Sequence, residues 1–130
     1  MGEAGLRFLL VALGGAAGAT FRYTLNIAAL ALLGPRFPWG TLAANAVGCF
    51  LAGIALVFFT EREVLSTHHR LLLITGFLGG LTTFSAFALD TLTLSREREL
   101  GMASLNIGLN MLVGLGGVWL GWALARSLWA

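Results

Sequence analysis

Charge is what this sequence has least of. Of 130 residues only 11% are Asp, Glu, Lys or Arg, while 58% are hydrophobic. About a quarter of an ordinary globular chain is charged, so this composition excludes a conventional soluble domain and belongs in a membrane. Lysine is missing altogether, so the 8 basic residues are all arginine, and the net charge of +2 is too small and too scattered for a nucleic-acid surface. A single cysteine, Cys49, cannot close an intrachain disulfide and leaves the redox compartment unread. By position it is a small residue within a helix. No low-complexity tract, lipidation motif or sequence repeat stands out.

What remains is apolar and divides into four segments: Leu6–Leu33, with Arg22 and Asn26 in its interior, Gly40–Phe59, Leu71–Leu94, containing Asp90, and Gly101–Ala125. About 20 residues of helix cross the ~30 Å hydrocarbon core, so each is long enough, with tilt to spare. The linkers "GPRFPW" (34–39), "TEREVLSTHHR" (60–70) and "SREREL" (95–100) carry turn chemistry and charge. The early run ending in "GGAAGAT" (14–20) loosely imitates a cleavable signal. Because apolar sequence resumes beyond Arg22 and three more spans follow, a retained first helix is expected. The fold class is therefore an all-α membrane protein, one four-helix domain over residues 1–130.

Arginine in cytoplasmic loops normally sets orientation. The side shared by both termini and the second linker carries Arg7, Arg62, Arg70 and Arg126; the opposite side carries Arg36, Arg96 and Arg98. So small a bias predicts dual topology, with copies inserting both ways up and pairing as an antiparallel homodimer about an axis in the membrane plane. Selection of one orientation by helix hydrophobicity is the simpler reading.

Helices in lipid associate through small residues and interhelical hydrogen bonds. Gly14, Gly18, Arg22 and Asn26 recur at steps of four, as do Thr41 and Asn45, followed by Gly48 and Ala52. The last span offers Asn106, Asn110, Gly114, Gly117 and Gly121. The glycines read as packing sites. Asn45 and Asn110 must find partners or line water at membrane depth, so each is either interhelical glue or pathway lining. Arg22 either snorkels to an interface or guards the mouth of a vestibule. Asp90 reads as a structural hydrogen-bond partner.

The stretch "GFLGGLTTFSAF" (76–87) weakens its own helix. Gly76, Gly79 and Gly80 each cost about 1 kcal/mol relative to alanine, and the hydroxyls of Thr82 and Thr83 compete for backbone groups. The pattern predicts a broken third helix, whose freed carbonyls around Gly79–Thr82, doubled across an antiparallel axis, make an oxygen cage for a cation such as Na⁺. A glycine kink for close helix crossing is the competing explanation. Phe84 and Phe87 share a helical face with Thr83 and Asp90. Aromatic ring edges are electropositive. With Thr83, Ser85 and the Asn45 amide as neutral donors, they suggest an anion path more than a proton-driven carrier.

That stretch, together with "GGAAGATFRY" (14–23) and "WGTLAANAVGCFLAG" (39–53), resembles the Fluc (CrcB-type) family of fluoride ion channels over all four spans. The resemblance implies a dual-topology homodimer in the cell (inner) membrane, not an enzyme, that passes fluoride passively out of the cytoplasm through two pores. It implies a structural Na⁺ at the dimer axis, held by the backbone carbonyls of Gly79 and Thr82. It further implies pore roles for Phe84, Phe87 and Asn45, a vestibule role for Arg22, and a polar track beginning at Ser85. Ala86 and Ala88 stand where relatives often carry Thr or Ser, thinning that track; Asn110 is the candidate replacement for a track hydroxyl. A small proton-coupled drug exporter and a non-transporting membrane subunit are the alternatives. The exporter family places a glutamate within its first helix, where this chain has Arg22.

Overall fold

The computed structural model describes residues 2–129. They form helices α1 (Glu3–Leu33), α2 (Trp39–Glu61), α3 (67–81), α4 (Phe84–Arg96) and α5 (Leu100–Leu128). Taking 67–96 as one span, four segments are long and apolar enough to cross a membrane, and no strand occurs among the described residues. The protein is a multi-pass membrane protein. α1 ends at Gly34, whose N–H reaches the Leu30 carbonyl with φ at +79°, a left-handed geometry that suits glycine. Pro35 and Pro38 then stop any continuation, and α2 starts one residue later.

Large apolar side chains such as Leu32, Leu112 and Leu115 point outward, and the few buried positions are mainly small or polar. That is the inverse of a water-soluble core and fits a chain whose solvent is lipid, where close backbone approach replaces the hydrophobic effect between helices. The α1–α3 seam is built this way. The only buried residues of α1 are Gly14 and Gly18, and a Cβ on either would collide with the Leu72 or Phe77 carbonyl of α3. Gly76 and Gly80 return the fit, lying against Gly14 and Gly15. Across the molecule α2 packs along α5, where a Cβ on Gly121 would strike the Phe50 carbonyl.

α2 occupies the middle, touching α1, α3 and α5. α3 leans on α1, whereas α4 leans on α5, so the chain changes neighbours as it passes between them. The change occurs at Thr82 (φ −78°, ψ 151°) and Thr83 (φ −152°, ψ 115°), both extended, directly over α2. At the face bearing the termini, polar clasps tie the helix ends. Glu3 joins Arg7 and His68, while Glu61 accepts from Trp122 Nε1 at 2.7 Å and pairs with Arg126 at 3.4 Å.

Candidate functional site: an amide clamp beside two phenylalanines

Extended backbone within a membrane must have its polar groups satisfied by protein. Asn45, from α2, does this for Thr83. Its Oδ1 accepts the Thr83 N–H at 2.8 Å and its Nδ2 donates to the Thr83 carbonyl at 3.2 Å. Thr83 in turn caps α4, its Oγ1 accepting from the Ala86 N–H at 3.1 Å and lying 3.2 Å from Ser85 Oγ. A Ser/Thr cap of this kind satisfies one of the free N–H groups of a helix start and leaves the positive end of the helix dipole there.

The break leaves the carbonyls of residues 79–82 without their helical donors, those of Gly79 and Thr82 among them. In a continuous helix the Gly79 oxygen would accept from the Thr83 N–H, and the Thr82 oxygen from the Ala86 N–H. Both donors are engaged elsewhere, by Asn45 and by the Thr83 hydroxyl. Gly79 is exposed, and a Cβ there would meet only the Ile74 carbonyl, at 3.8 Å. Neutral carbonyl oxygens of this kind are hard donors suited to an alkali cation. Among the described residues no group of three or more His, Cys, Asp or Glu is placed to hold a metal ion.

Beside the clamp lie Phe84 and Phe87, edge to face with ring centroids 5.3 Å apart. Phe87 is 8% exposed and Phe84 75%, so one ring is held in the protein and the other stands free of its own chain. With Asn45, Thr83 and Asn110 they line a cavity of about 300 Å³. Cys49 lines it too, a position the sequence pattern treats as mere helix filler.

Asn110, buried on α5, accepts from Asn45 Nδ2 at 3.0 Å. It donates to both the backbone carbonyl and the side-chain oxygen of Asn106, each at 2.9 Å. Asn106, with no exposed surface, donates to Thr91 Oγ1 at 2.9 Å. Asn45 and Asn110 are thus joined in a single amide ladder. No sequence signal singles out Thr91 apart from its position one turn beyond Phe87, whose carbonyl accepts its hydroxyl at 2.8 Å.

One turn before Asn45, Thr41 donates to Asp90 Oδ2 at 2.7 Å. Both line a larger cavity of about 510 Å³ at the face opposite the termini, with Asn26, Arg36, Glu97 and Glu99 at its wall. The two cavities are therefore one helical turn apart along α2, and along α4 the step runs from Asp90 to Phe87. Arg22 is half-buried on α1 and lines neither. Ser85 is exposed beside the clamp.

The profile of the CrcB-like protein family, described as Camphor Resistance (CrcB), matches residues 9–122. The chain belongs to that family. A fluoride-specific ion channel FluC from Rhizobium etli is 46% identical over 123 residues, which is 95% of this chain and 98% of the relative. Proteins of the same name from Agrobacterium fabrum and Acidobacterium capsulatum are 44% and 42% identical over the same coverage. The matched residues reach into every helix and include Asn45, Thr83, Phe84 and Phe87.

Proposed function

We propose that this chain is the subunit of a passive, fluoride-selective channel, not an enzyme, that lets the ion leave the cytoplasm down its gradient. The observation that carries the reading is the convergence of Asn45, Thr83, Phe84 and Phe87 on one cavity, in a CrcB chain whose near-full-length relatives are named fluoride-specific channels. Fluoride is small and strongly hydrated, so it enters a pore only where protein donors replace its water. The Ser85 and Thr83 hydroxyls, the Asn45 amide and the electropositive ring edges of Phe84 and Phe87 are such donors, and none is a fixed cation that would trap the ion. The N-terminal end of α4 adds a favourable partial charge at the same depth. Asn110 continues the polar lining, and Arg22, set back on α1, acts on approaching anions at longer range.

Two copies, inverted relative to each other in the cell (inner) membrane, form the working unit, with one pore per subunit. Support comes from the near-balanced arginines, the free face of Phe84 and the open surface at Gly79. The Gly79 and Thr82 carbonyls would hold a structural Na⁺ on the axis, and the ion's charge would there tie together oxygens that otherwise repel. Fluoride-loaded proteoliposomes containing the purified protein test the proposal. Rapid fluoride release with negligible chloride release is expected; equal rates for the two halides would end the selectivity reading.

A further inference from the structure

The Asn45 amide has two N–H groups, and both are spent. One goes to the Thr83 carbonyl, the other to Asn110 Oδ1. An anion in the adjoining cavity can use an Asn45 proton only by displacing one of these acceptors. The Thr83 bond is half of a two-point grip on the backbone. The Asn110 bond is a single contact between side chains, and Asn110 is one of the residues lining the cavity.

The direction of that contact cannot reverse. Thr91 gives its own proton to the Phe87 carbonyl, so towards Asn106 it only accepts. Asn106 Nδ2 is thereby fixed on Thr91, which turns Asn106 Oδ1 towards Asn110. Together with the Asn106 backbone carbonyl it takes both Asn110 protons, which leaves Asn110 Oδ1 facing Asn45. At the far end the Thr83 N–H, a donor only, holds the Asn45 amide in the matching sense.

We infer that Asn110 Oδ1 is a resident acceptor which the passing anion displaces from Asn45, and that Asn106 is the positioning residue that keeps this oxygen in place. A conduction site must bind tightly enough to admit the ion and weakly enough to release it. A built-in competitor achieves this, because every bond the anion gains from Asn45 is offset by one that Asn110 loses. The inference rests on the fluoride-channel reading.

Its test is initial fluoride flux from proteoliposomes over a range of fluoride concentrations. Asn110→Ala should lower the half-saturating concentration about two- to tenfold, the worth of one neutral hydrogen bond, while maximal flux falls. Asn106→Leu should shift half-saturation the same way but less, since Asn110 keeps the Asn106 backbone carbonyl, and should add no shift in the Asn110→Ala background. A purely structural role lowers maximal flux and leaves half-saturation unmoved. An unmoved or raised half-saturation in Asn110→Ala protein that elutes like the wild type overturns the inference. If that variant fails to fold, an unmoved value in Asn106→Leu overturns it instead. A wild-type protein that carries no fluoride defeats the channel reading itself and this inference with it.

Discussion

Asn45 holds Thr83 by both of its backbone polar groups, through bonds of 2.8 Å and 3.2 Å that bridge α2 to the joint between α3 and α4. Thr83 is buried and its N–H has lost the Gly79 carbonyl as a helical partner, while its own carbonyl still opens the first turn of α4, so the Asn45 side chain is structural. Asn45→Leu should destabilise the protein by about 1–3 kcal/mol, the cost of orphaning the Thr83 N–H. Asn45→Asp keeps an acceptor for the Thr83 N–H and should fold better, yet conduct no more, because its carboxyl can bring negative charge to an anion path. Thermal unfolding in detergent read beside fluoride flux separates the two effects. Equal melting of the two variants would show that the grip on the Thr83 N–H contributes nothing.

The two phenylalanines should respond differently to the same change. Phe87→Ile alters a buried ring and should cost about 1 kcal/mol of stability, the scale of an imperfect apolar swap. Phe84→Ile alters a ring that its own chain leaves largely exposed and should cost the subunit little. Both should reduce fluoride flux more than about tenfold, as loss of one ion contact near 1.4 kcal/mol requires. Unchanged flux in either would remove that ring from the path.

The four spans and the all-helical class are legible in the sequence because runs of apolar residues this long have few alternatives in water or lipid. The packing role of Gly14 and Gly18 is legible from their spacing. The place where α3 stops is legible only in part. Local propensity spreads the weakness over Gly76, Gly79, Gly80, Thr82 and Thr83, yet the glycines are helical, and Gly76 and Gly80 serve the α1 seam. The extended residues are Thr82 and Thr83, and the agent is Asn45, a partner 38 positions away that captures the Thr83 N–H. A tertiary hydrogen bond of this kind leaves no trace in a local window. For the same reason the ladder through Asn106 and Thr91, and the juxtaposition of Cys49 with the cavity, emerge only from the fold.

Cys49 offers a chemical probe of that cavity. Small methanethiosulfonate reagents should label it in the folded protein and depress fluoride flux, since the thiol lines the same space as Asn45 and Phe87. Cys49→Ser should conduct and be indifferent to the reagent. Labelling that leaves flux unchanged would separate this cavity from the ion's route.

Sodium should matter to the assembly. If the carbonyls of Gly79 and Thr82 from two copies share one ion, the melting midpoint should rise with Na⁺ concentration, as it does for any ligand that binds only the folded form. Choline at equal ionic strength should not substitute. A midpoint that follows ionic strength alone would leave those carbonyls without a cation.

Gly79 itself distinguishes the needs of one chain from those of two. Its backbone is helical, at φ −63° and ψ −36°, and a Cβ would meet only the Ile74 carbonyl at 3.8 Å. Within a single subunit Gly79→Ala is therefore free of clash and should even favour the helix by about 1 kcal/mol. Any harm it does must come from outside the chain. With an inverted copy approaching at this point, the added methyl should weaken the dimer on size-exclusion and cross-linking and blunt the response to Na⁺. Gly15→Ala, whose Cβ would sit 3.9 Å from the Gly76 carbonyl in the α1–α3 seam, should leave both unchanged. A Gly79→Ala protein that stays dimeric and keeps its Na⁺ response would move the axis away from this turn of α3.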